Sequence, residues 1–311
     1  MINNLEFHKP VMLSEVLHSL APKDGETYLD CTFGAGGYSK AILQSAKCSL
    51  YAIDRDELAK KFAANLEKDF SKNFTFCAGK FSDCEEILSQ RGVEQVDGMV
   101  LDIGVSSMQL DDKERGFSFD SQNQLDMRMD RNQAISAFEV VNQFSEGELS
   151  QIIKEFGEEP KARQIAKKIV STRSVKPVTS CKDLADIVRS FYRGYFKTDP
   201  ATKTFQAIRI FVNQELEELK MALNSSKKIL KKGGRLVVVS FHSLEDSIVK
   251  NFLKKEAGLD QTFSRYQPNF EQEKIVKNFS VITKSAISPS DEEIANNLRA
   301  RSAKMRVAIK I

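Results

Sequence analysis

Tyr28-Leu29-Asp30-Cys31-Thr32-Phe33-Gly34-Ala35-Gly36-Gly37-Tyr38 runs from apolar residues into an acid, then glycines, then the helical pattern that begins at Ser39. This order predicts a strand, a tight turn and a helix start. Glycines let backbone approach a ligand closely, and a helix N-terminus offers free N–H donors. A second apolar run, Ser49-Leu50-Tyr51-Ala52-Ile53, ends at Asp54. An acid at the tip of strand 2, about 20 residues past the glycines, is placed to accept hydrogen bonds from a ribose diol. Together they predict a site for an adenosine-containing cofactor.

Further strands are expected outward from this unit. Asn73-Phe74-Thr75-Phe76-Cys77 reads as strand 3, followed by Gly79-Lys80-Phe81-Ser82. The loop after strand 3 of a doubly wound sheet lies beside adenine, so Phe81 is a candidate cover for that ring, with a core role equally open. The run from Val96 to Gly104 is strand 4, and Asp102 falls at its carboxyl end, where open α/β sheets place their chemistry. Arg235-Leu236-Val237-Val238-Val239-Ser240-Phe241 is a buried strand 5. His242 follows at the same edge, as a substrate contact or a simple strand-to-helix joint, with Ser243 and Asp246 spaced like a capping box. Phe279-Ser280-Val281-Ile282-Thr283 and Met305-Arg306-Val307-Ala308-Ile309 close the sheet. Five parallel strands followed by an antiparallel pair resemble the seven-stranded S-adenosylmethionine methyltransferase sheet and differ from most dinucleotide dehydrogenases.

Before strand 1, residues 11–20 have helical spacing and are assigned to packing. Between strands 4 and 5 the sheet pattern stops, and Pro160, Pro177 and Pro200 punctuate helical segments at about 135–144, 145–156, 162–171 and 181–192. The charge of this insertion is split. Residues 111–159 hold five Lys/Arg against twelve Asp/Glu, whereas residues 160–210 hold twelve against three. In the basic half, Phe191, Tyr192, Tyr195 and Phe196 lie among the cations, a composition suited to phosphate contact and base stacking or to a solvated face paired with the acidic half. From Thr202 a single long helix is expected to run to Gly233-Gly234.

Bulk composition bounds the rest. The 311 residues suffice for two domains, and a net charge of +3 announces no nucleic-acid binder by itself. No apolar run approaches ~18 residues, so no membrane span is expected. Five scattered cysteines without a C-x-x-C pair, and three histidines, predict reduced thiols, no metal site and a cytoplasmic protein.

Eight motifs occur in one order: Asp30-x-Thr32-x-Gly34-x-Gly36-Gly37, Ala52-Ile53-Asp54-Arg55-Asp56, Leu101 to Asp111, Gly116-Phe117-Ser118-Phe119, Leu125 to Asp130, Thr204 to Ile210, Ser240 to Asp246 and Arg301-Ser302-Ala303-Lys304. In this combination the chain resembles the bacterial 16S rRNA (cytidine-N4)-methyltransferase family, RsmH/MraW, over about residues 8–311. The resemblance implies a class I, Rossmann-like α/β fold with an inserted all-α domain that helps bind RNA, at 113–203 within 1–112 and 204–311. It implies S-adenosylmethionine as methyl donor and, as acceptor, a cytidine in the decoding centre of 16S rRNA, free or within the small ribosomal subunit. A homodimer is left open. Motif matching places Gly36, Gly37, Tyr38, Asp54, Phe81, Asp102 and Gln109 at the cofactor, and Arg128, Arg209 and His242 at the substrate. Asp102 is the candidate catalytic residue, as hydrogen-bond acceptor or cofactor anchor. One departure is visible, since the family usually has histidine where this chain has Tyr38. DNA amino-methyltransferases carry an Asn/Asp/Ser-Pro-Pro-aromatic loop after strand 4, and Ile103-Gly104-Val105-Ser106-Ser107 stands there instead. Two other readings remain: a nicotinamide oxidoreductase, against which the closing strand pair argues, and a non-catalytic RNA-binding factor.

Overall fold

The structure, a computed structural model, describes residues 10–119, 121–259 and 277–311. His8, a histidine that the sequence leaves open as a ligand contact, and most of the polar stretch that it shows at 258–274 lie outside the described residues. The chain divides into two compact units, Met1–Gly104 with Leu216–Ile311, and Val105–Glu215.

In the first unit the elements run α1 (Leu13–Leu20), β1 (Thr27–Asp30), α2 (Gly37–Ser45), β2 (Ser49–Asp54), α3 (Glu57–Phe70), β3 (Phe74–Ala78), α4 (Cys84–Ser89) and β4 (Val96–Asp102). The second unit supplies α5 (Ser107–Asp111), α6 (Ala137–Gln143), α7 (Glu146–Gly157), α8 (Ala162–Arg173), α9 (Cys181–Arg189) and α10 (Thr202–Asn213). The first unit then resumes with α11 (Glu215–Ile229), β5 (Leu230–Ser240), α12 (Ser243–Glu256), β6 (Phe279–Val281), α13 (Asp291–Asn296) and β7 (Lys304–Lys310).

The seven strands form one sheet in the order β3-β2-β1-β4-β5-β7-β6. The first five are parallel, and β7 runs antiparallel to both β5 and β6. Strand side chains alternate between two buried layers. Tyr28, Val100, Val237 and Val239 pack with α1, α2 and α3, while Leu29, Met99, Leu101, Leu236 and Val238 pack with α4, α11 and α12. Because both faces are covered, the central strands read as unbroken apolar runs. Chain order reverses between β1 and β4, which opens a crevice at their carboxyl ends. Asp30, Asp54 and Asp102 are the last residues of β1, β2 and β4, so one sheet edge carries three carboxylates.

The second unit is all-α around its own core, which includes Leu125, Val140, Leu149, Ile153, Ile165 and Leu184. Ser136 with Glu139, Ser145 with Glu148 and Ser180 with Asp183 cap α6, α7 and α9 reciprocally. Helices α7 and α10 approach so closely that a Cβ on Gly157 would stand 2.5 Å from the Lys203 carbonyl oxygen and 3.2 Å from Ala207 Cβ. Neither backbone can yield cheaply. Gly157→Val is therefore expected to destabilise this unit by about 1–3 kcal/mol. The check is a lowered urea midpoint for the helical unit by amide exchange, with the sheet unit's protection unchanged.

The expected long helix is two helices. Gln214, at φ 53°, ends α10 in the left-handed region, and α11 starts afresh at Glu215. The buried Asn213 side chain holds the last turn of α10, accepting from Met129 N–H (2.8 Å) and donating to the Met127 carbonyl (2.8 Å). The chain redirects there, at the boundary of the two units. Phe205, Ala207, Ile208 and Val212 belong to the helical core, so the insertion extends beyond 113–203 on both sides. Helix α11 also stops before Lys231. Leu230 pairs with Val96, Lys231 Nζ meets Asp97 Oδ2 at 2.7 Å, and the pairing then shifts across Gly233-Gly234 to resume at Arg235.

Candidate active site

Asp30 is wholly buried at the end of β1. Its Oδ1 accepts the Thr32 N–H (3.1 Å), and its Oδ2 accepts the Ser39 hydroxyl (2.7 Å) on the first turns of α2. Burial pushes this carboxyl up to about 6; those hydrogen bonds oppose the shift and the nearby Asp54 charge adds to it. One residue thus ties the strand, the turn and the helix N-terminus together.

Gly36 is the N-cap of α2, with φ +81° and its N–H donating to the Phe33 carbonyl at 2.7 Å. A Cβ there would lie 2.7 Å from Phe33 Cζ. Phe33 in turn stacks against Phe74 and Phe76 at 5.6 and 5.4 Å. Glycine is therefore required for the left-handed turn and for the phenyl ring beneath it. The first N–H groups of α2, those of Gly37 and Tyr38 among them, have no acceptor within the helix and stand at the positive end of its dipole. The Tyr38 side chain points inward instead. It is buried, its hydroxyl donates to the Val11 carbonyl, and it lies near the Asp102 carboxyl.

Asp54 uses both carboxyl oxygens on backbone, accepting from Gly34 N–H (2.7 Å) and Asp56 N–H (2.8 Å). Desolvation raises its pKa against those two bonds. The acid expected at a ribose is also the clamp on the glycine turn, since Gly34 is held from β2. Phe81 sits half-buried in a 3-10 turn after β3, packed against the layer of α4 and α11. Behind it, Glu218 on α11 pairs with Arg55 (2.9 Å) and Lys80 (3.4 Å).

Asp102 closes β4 at the same edge. Its N–H donates to Thr32 Oγ1 at 2.7 Å, locking β4 to the turn. Its Oδ1 is shut off from solvent and meets no hydrogen-bond partner among the described residues. Burial first, then the charges of Asp30 and Glu245, push its carboxyl well above the usual range, while the Tyr38 contact opposes them. A buried acceptor without a donor is costly unless a ligand supplies one, or a positive charge.

The helix after β5 is capped one residue earlier than the sequence suggested. His242, not Ser243, is the N-cap, and Glu245, not Asp246, is its partner. Glu245 Oε2 accepts from Phe241 N–H (2.8 Å) and His242 N–H (3.3 Å), and His242 Nδ1 accepts the Glu245 N–H at 3.4 Å. His242 Nε2 lies 2.8 Å from Glu245 Oε1, so both ring nitrogens face this one residue. Asp246 instead holds Arg306 of β7 at 2.7 and 3.1 Å. Sequence reasoning missed Glu245 as part of the acidic cluster. The spacing His-x-x-Glu was visible, but its meaning depended on which residue begins the helix.

In the helical unit, Gln109 is buried as the third residue of α5 and closes a capping box with Ser106 (3.0 and 3.3 Å). Arg128 grips Asp126 and the Gln133 carbonyl, the latter at 2.8 Å. Arg209 makes a two-point pair with Glu215 at 2.8 and 2.9 Å. Each guanidinium expected at the substrate thus braces its own unit.

A switch-point crevice beside a glycine turn, with an antiparallel pair closing a parallel sheet, defines the class I, Rossmann-like S-adenosylmethionine methyltransferase fold. The chain belongs to the MraW methylase family, whose model matches residues 6–311. It is 52% identical over 310 residues to the ribosomal RNA small subunit methyltransferase H of Rickettsia akari, covering 99% of each chain. It is 50% identical to the same-named protein of Maricaulis maris, over 97% of this chain and 91% of that one. An rRNA methylase structure from Streptococcus thermophilus aligns over 98% of both chains at 11% identity with a TM-score of 0.44.

Proposed function

We propose that this protein methylates the exocyclic N4 of a cytidine in the decoding centre of 16S rRNA, with S-adenosylmethionine as donor. Methylation of small-subunit rRNA rests on family membership and on the names of relatives about half identical to this chain. The choice of N4 is what the resemblance to the (cytidine-N4)-methyltransferase family implies, and it is supported by the Asp102 Oδ1 at the carboxyl end of β4, which has no hydrogen-bond partner among the described residues and suits an N–H donor.

The donor supplies a methyl group already activated on a cationic sulfur. The residues of the chain bind, orient and accept. The α2 N-terminus at Gly36, Gly37 and Tyr38 offers backbone N–H groups to an anionic end of the cofactor. Asp54 keeps further lone pairs beyond its two backbone bonds, enough to accept from a ribose hydroxyl. Phe81 offers a ring face to adenine, and Gln109 is assigned to the cofactor by its motif.

N4 of cytosine is a poor nucleophile because its lone pair is delocalised into the ring. Methyl transfer to N4 would break the sulfur–methyl bond, leave its electron pair on sulfur and build positive charge on N4, whose proton Asp102 would take. Asp102 accepts a hydrogen bond from that N–H group, and its negative charge grows more favourable as N4 becomes cationic. Thr32 holds the Asp102 backbone through its N–H, and the Tyr38 ring lies beside the carboxyl. Arg128, Arg209 and His242 are assigned to the substrate by the family motifs.

The test is tritium transfer from labelled S-adenosylmethionine to small subunits lacking the modification and to the matching free rRNA, followed by mass spectrometry of the nucleosides. Label in N4-methylcytidine is the expected result. Label at another base or ring position would overturn the N4 assignment, and no transfer to either RNA would overturn the whole reading.

A further inference from the structure

Between α9 and α10 the chain crosses a surface loop, Arg193-Gly194-Tyr195-Phe196-Lys197. Tyr195 is 95% exposed and Phe196 44% exposed. They line a cleft of about 390 Å³ with Arg189, Tyr192, Asp199 and Pro200. Its base is rigidly built. Arg189 pairs with Asp199, which also accepts the Ala201 N–H at 2.8 Å. The Tyr192 ring stands edge-on to Phe196 at 5.6 Å, carries the Lys161 ammonium 4.0 Å above its centroid, and donates its hydroxyl to Glu159. The rim is different. Arg193 and Lys197 are exposed and meet no side-chain partner among the described residues.

The structure separates cations that the sequence left equivalent. Arg173 is spent on the Val141 carbonyl (2.6 Å) and the Phe144 carbonyl at the end of α6, and Lys182 pairs with Asp186. Arg193 and Lys197, like the exposed Arg163, Lys167 and Lys168, meet no side-chain partner among the described residues, and these two stand on either side of two rings that the fold does not bury. The surrounding residues 160–210 carry twelve Lys/Arg against three Asp/Glu, which complements a polyanion. Exposed rings between free cations suit a strand whose bases are unpaired, since every base has a π-face and every linkage a phosphate. Duplex RNA hides its base faces and would use the cations alone.

We propose that this loop is a subsite for a single-stranded segment of RNA, with an unpaired base stacked on Tyr195 and Phe196 and flanking phosphates held by Arg193 and Lys197. The proposal rests on RNA being the substrate, and adds where an unpaired nucleotide other than the reacting one is gripped.

Anisotropy of a fluorescein-labelled 12-nucleotide single strand, and of a hairpin duplex of the same bases, tests it on the full-length chain. Tyr195→Ala with Phe196→Ala should weaken single-strand binding by roughly five- to a hundredfold and leave duplex binding within about twofold. Tyr195→Phe should retain binding. Arg193→Gln with Lys197→Gln should lower the slope of log affinity against log salt by about 1.4, the value for two phosphate contacts on a single strand. Melting temperature and S-adenosylmethionine affinity by calorimetry should stay unchanged in all variants. Unchanged single-strand affinity in the alanine pair, or equal losses for strand and duplex, overturns the subsite. So does impaired methylation of assembled subunits with intact binding of naked RNA, which would place a ribosomal protein on the loop. A wild-type chain that binds the strand through these residues but transfers no methyl would sink the enzymatic reading and leave the subsite standing.

Discussion

Replacing Asp102 with alanine should reduce methyl transfer by about a hundredfold or more, the usual cost of losing one acceptor or donor aimed at transition-state charge. The carboxyl contributes nothing comparable to folding. Its Oδ1 meets no donor among the described residues, and its charge is opposed by burial and by Asp30 and Glu245. Asp102→Asn should therefore raise the melting temperature of the ligand-free protein at pH 7.5 while still lowering turnover, because an amide oxygen accepts a hydrogen bond without offering a full charge. Gain in stability with loss of activity is the signature of a group kept for chemistry. A purely structural acid would give the opposite pairing. Single-turnover rates at saturating S-adenosylmethionine separate the two roles. A normal rate constant with weakened cofactor affinity makes Asp102 an anchor only, and a normal rate with normal affinity removes it from the site.

The parts of this edge that were legible in the sequence are those written in local pattern. Asp30, Asp54 and Asp102 each end an apolar run, and a strand's last residue is readable when the next is a glycine, a turn or a helix start. The closing antiparallel pair was legible for the same reason. What escaped depended on a single φ value or on tertiary distance. Gln214 looks helical in any window, yet its left-handed backbone divides one expected helix and moves the boundary of a compact unit. The one-residue shift of the cap from Ser243 to His242 changed which acid reaches the sheet edge. Local bracing was equally out of reach. Arg128 and Arg209 stand in motifs that the resemblance assigns to the substrate, and a carboxylate two or six residues along the chain holds each. Tyr38 shows the converse. Its replacement of the family's usual histidine looked like a question about ligand contact, whereas the ring is buried and the hydroxyl reaches back to Val11.

Affinity for S-adenosylmethionine is expected to fall by up to tenfold per pH unit below about pH 6, and binding at neutral pH is expected to release protons. The cause is the carboxylate cluster. Asp30 is raised to about 6, Asp54 is raised, and Asp102 is raised well above the ordinary range, each chiefly by burial. A cationic ligand favours the ionised forms, so protons held by the free protein must leave as it binds, and acid opposes binding. Between pH 5 and 7 the cofactor's own groups hold fixed charge, so the dependence belongs to the protein. Stability of the ligand-free chain should show the reverse sign. A carboxyl whose folded pKa exceeds its unfolded value of ~3.9 adds stability that is fully present below that value and lost as pH rises through the folded one. For Asp30 the window runs from ~3.9 to about 6 and is worth roughly 3 kcal/mol. The acids with lowered pKa, Glu139, Glu148, Asp183, Asp199 and Asp246, lose their contribution only as pH falls below the ordinary carboxyl range, so the two windows do not cancel. Calorimetric titrations at several pH values, in paired buffers of different ionisation enthalpy, count the protons directly, and thermal melts of the ligand-free protein should peak near pH 5. Asp30→Asn should flatten both profiles. Affinity that stays level from pH 5 to 8, with no buffer dependence of the heat, would mean that the bound cation does not sit among these three acids.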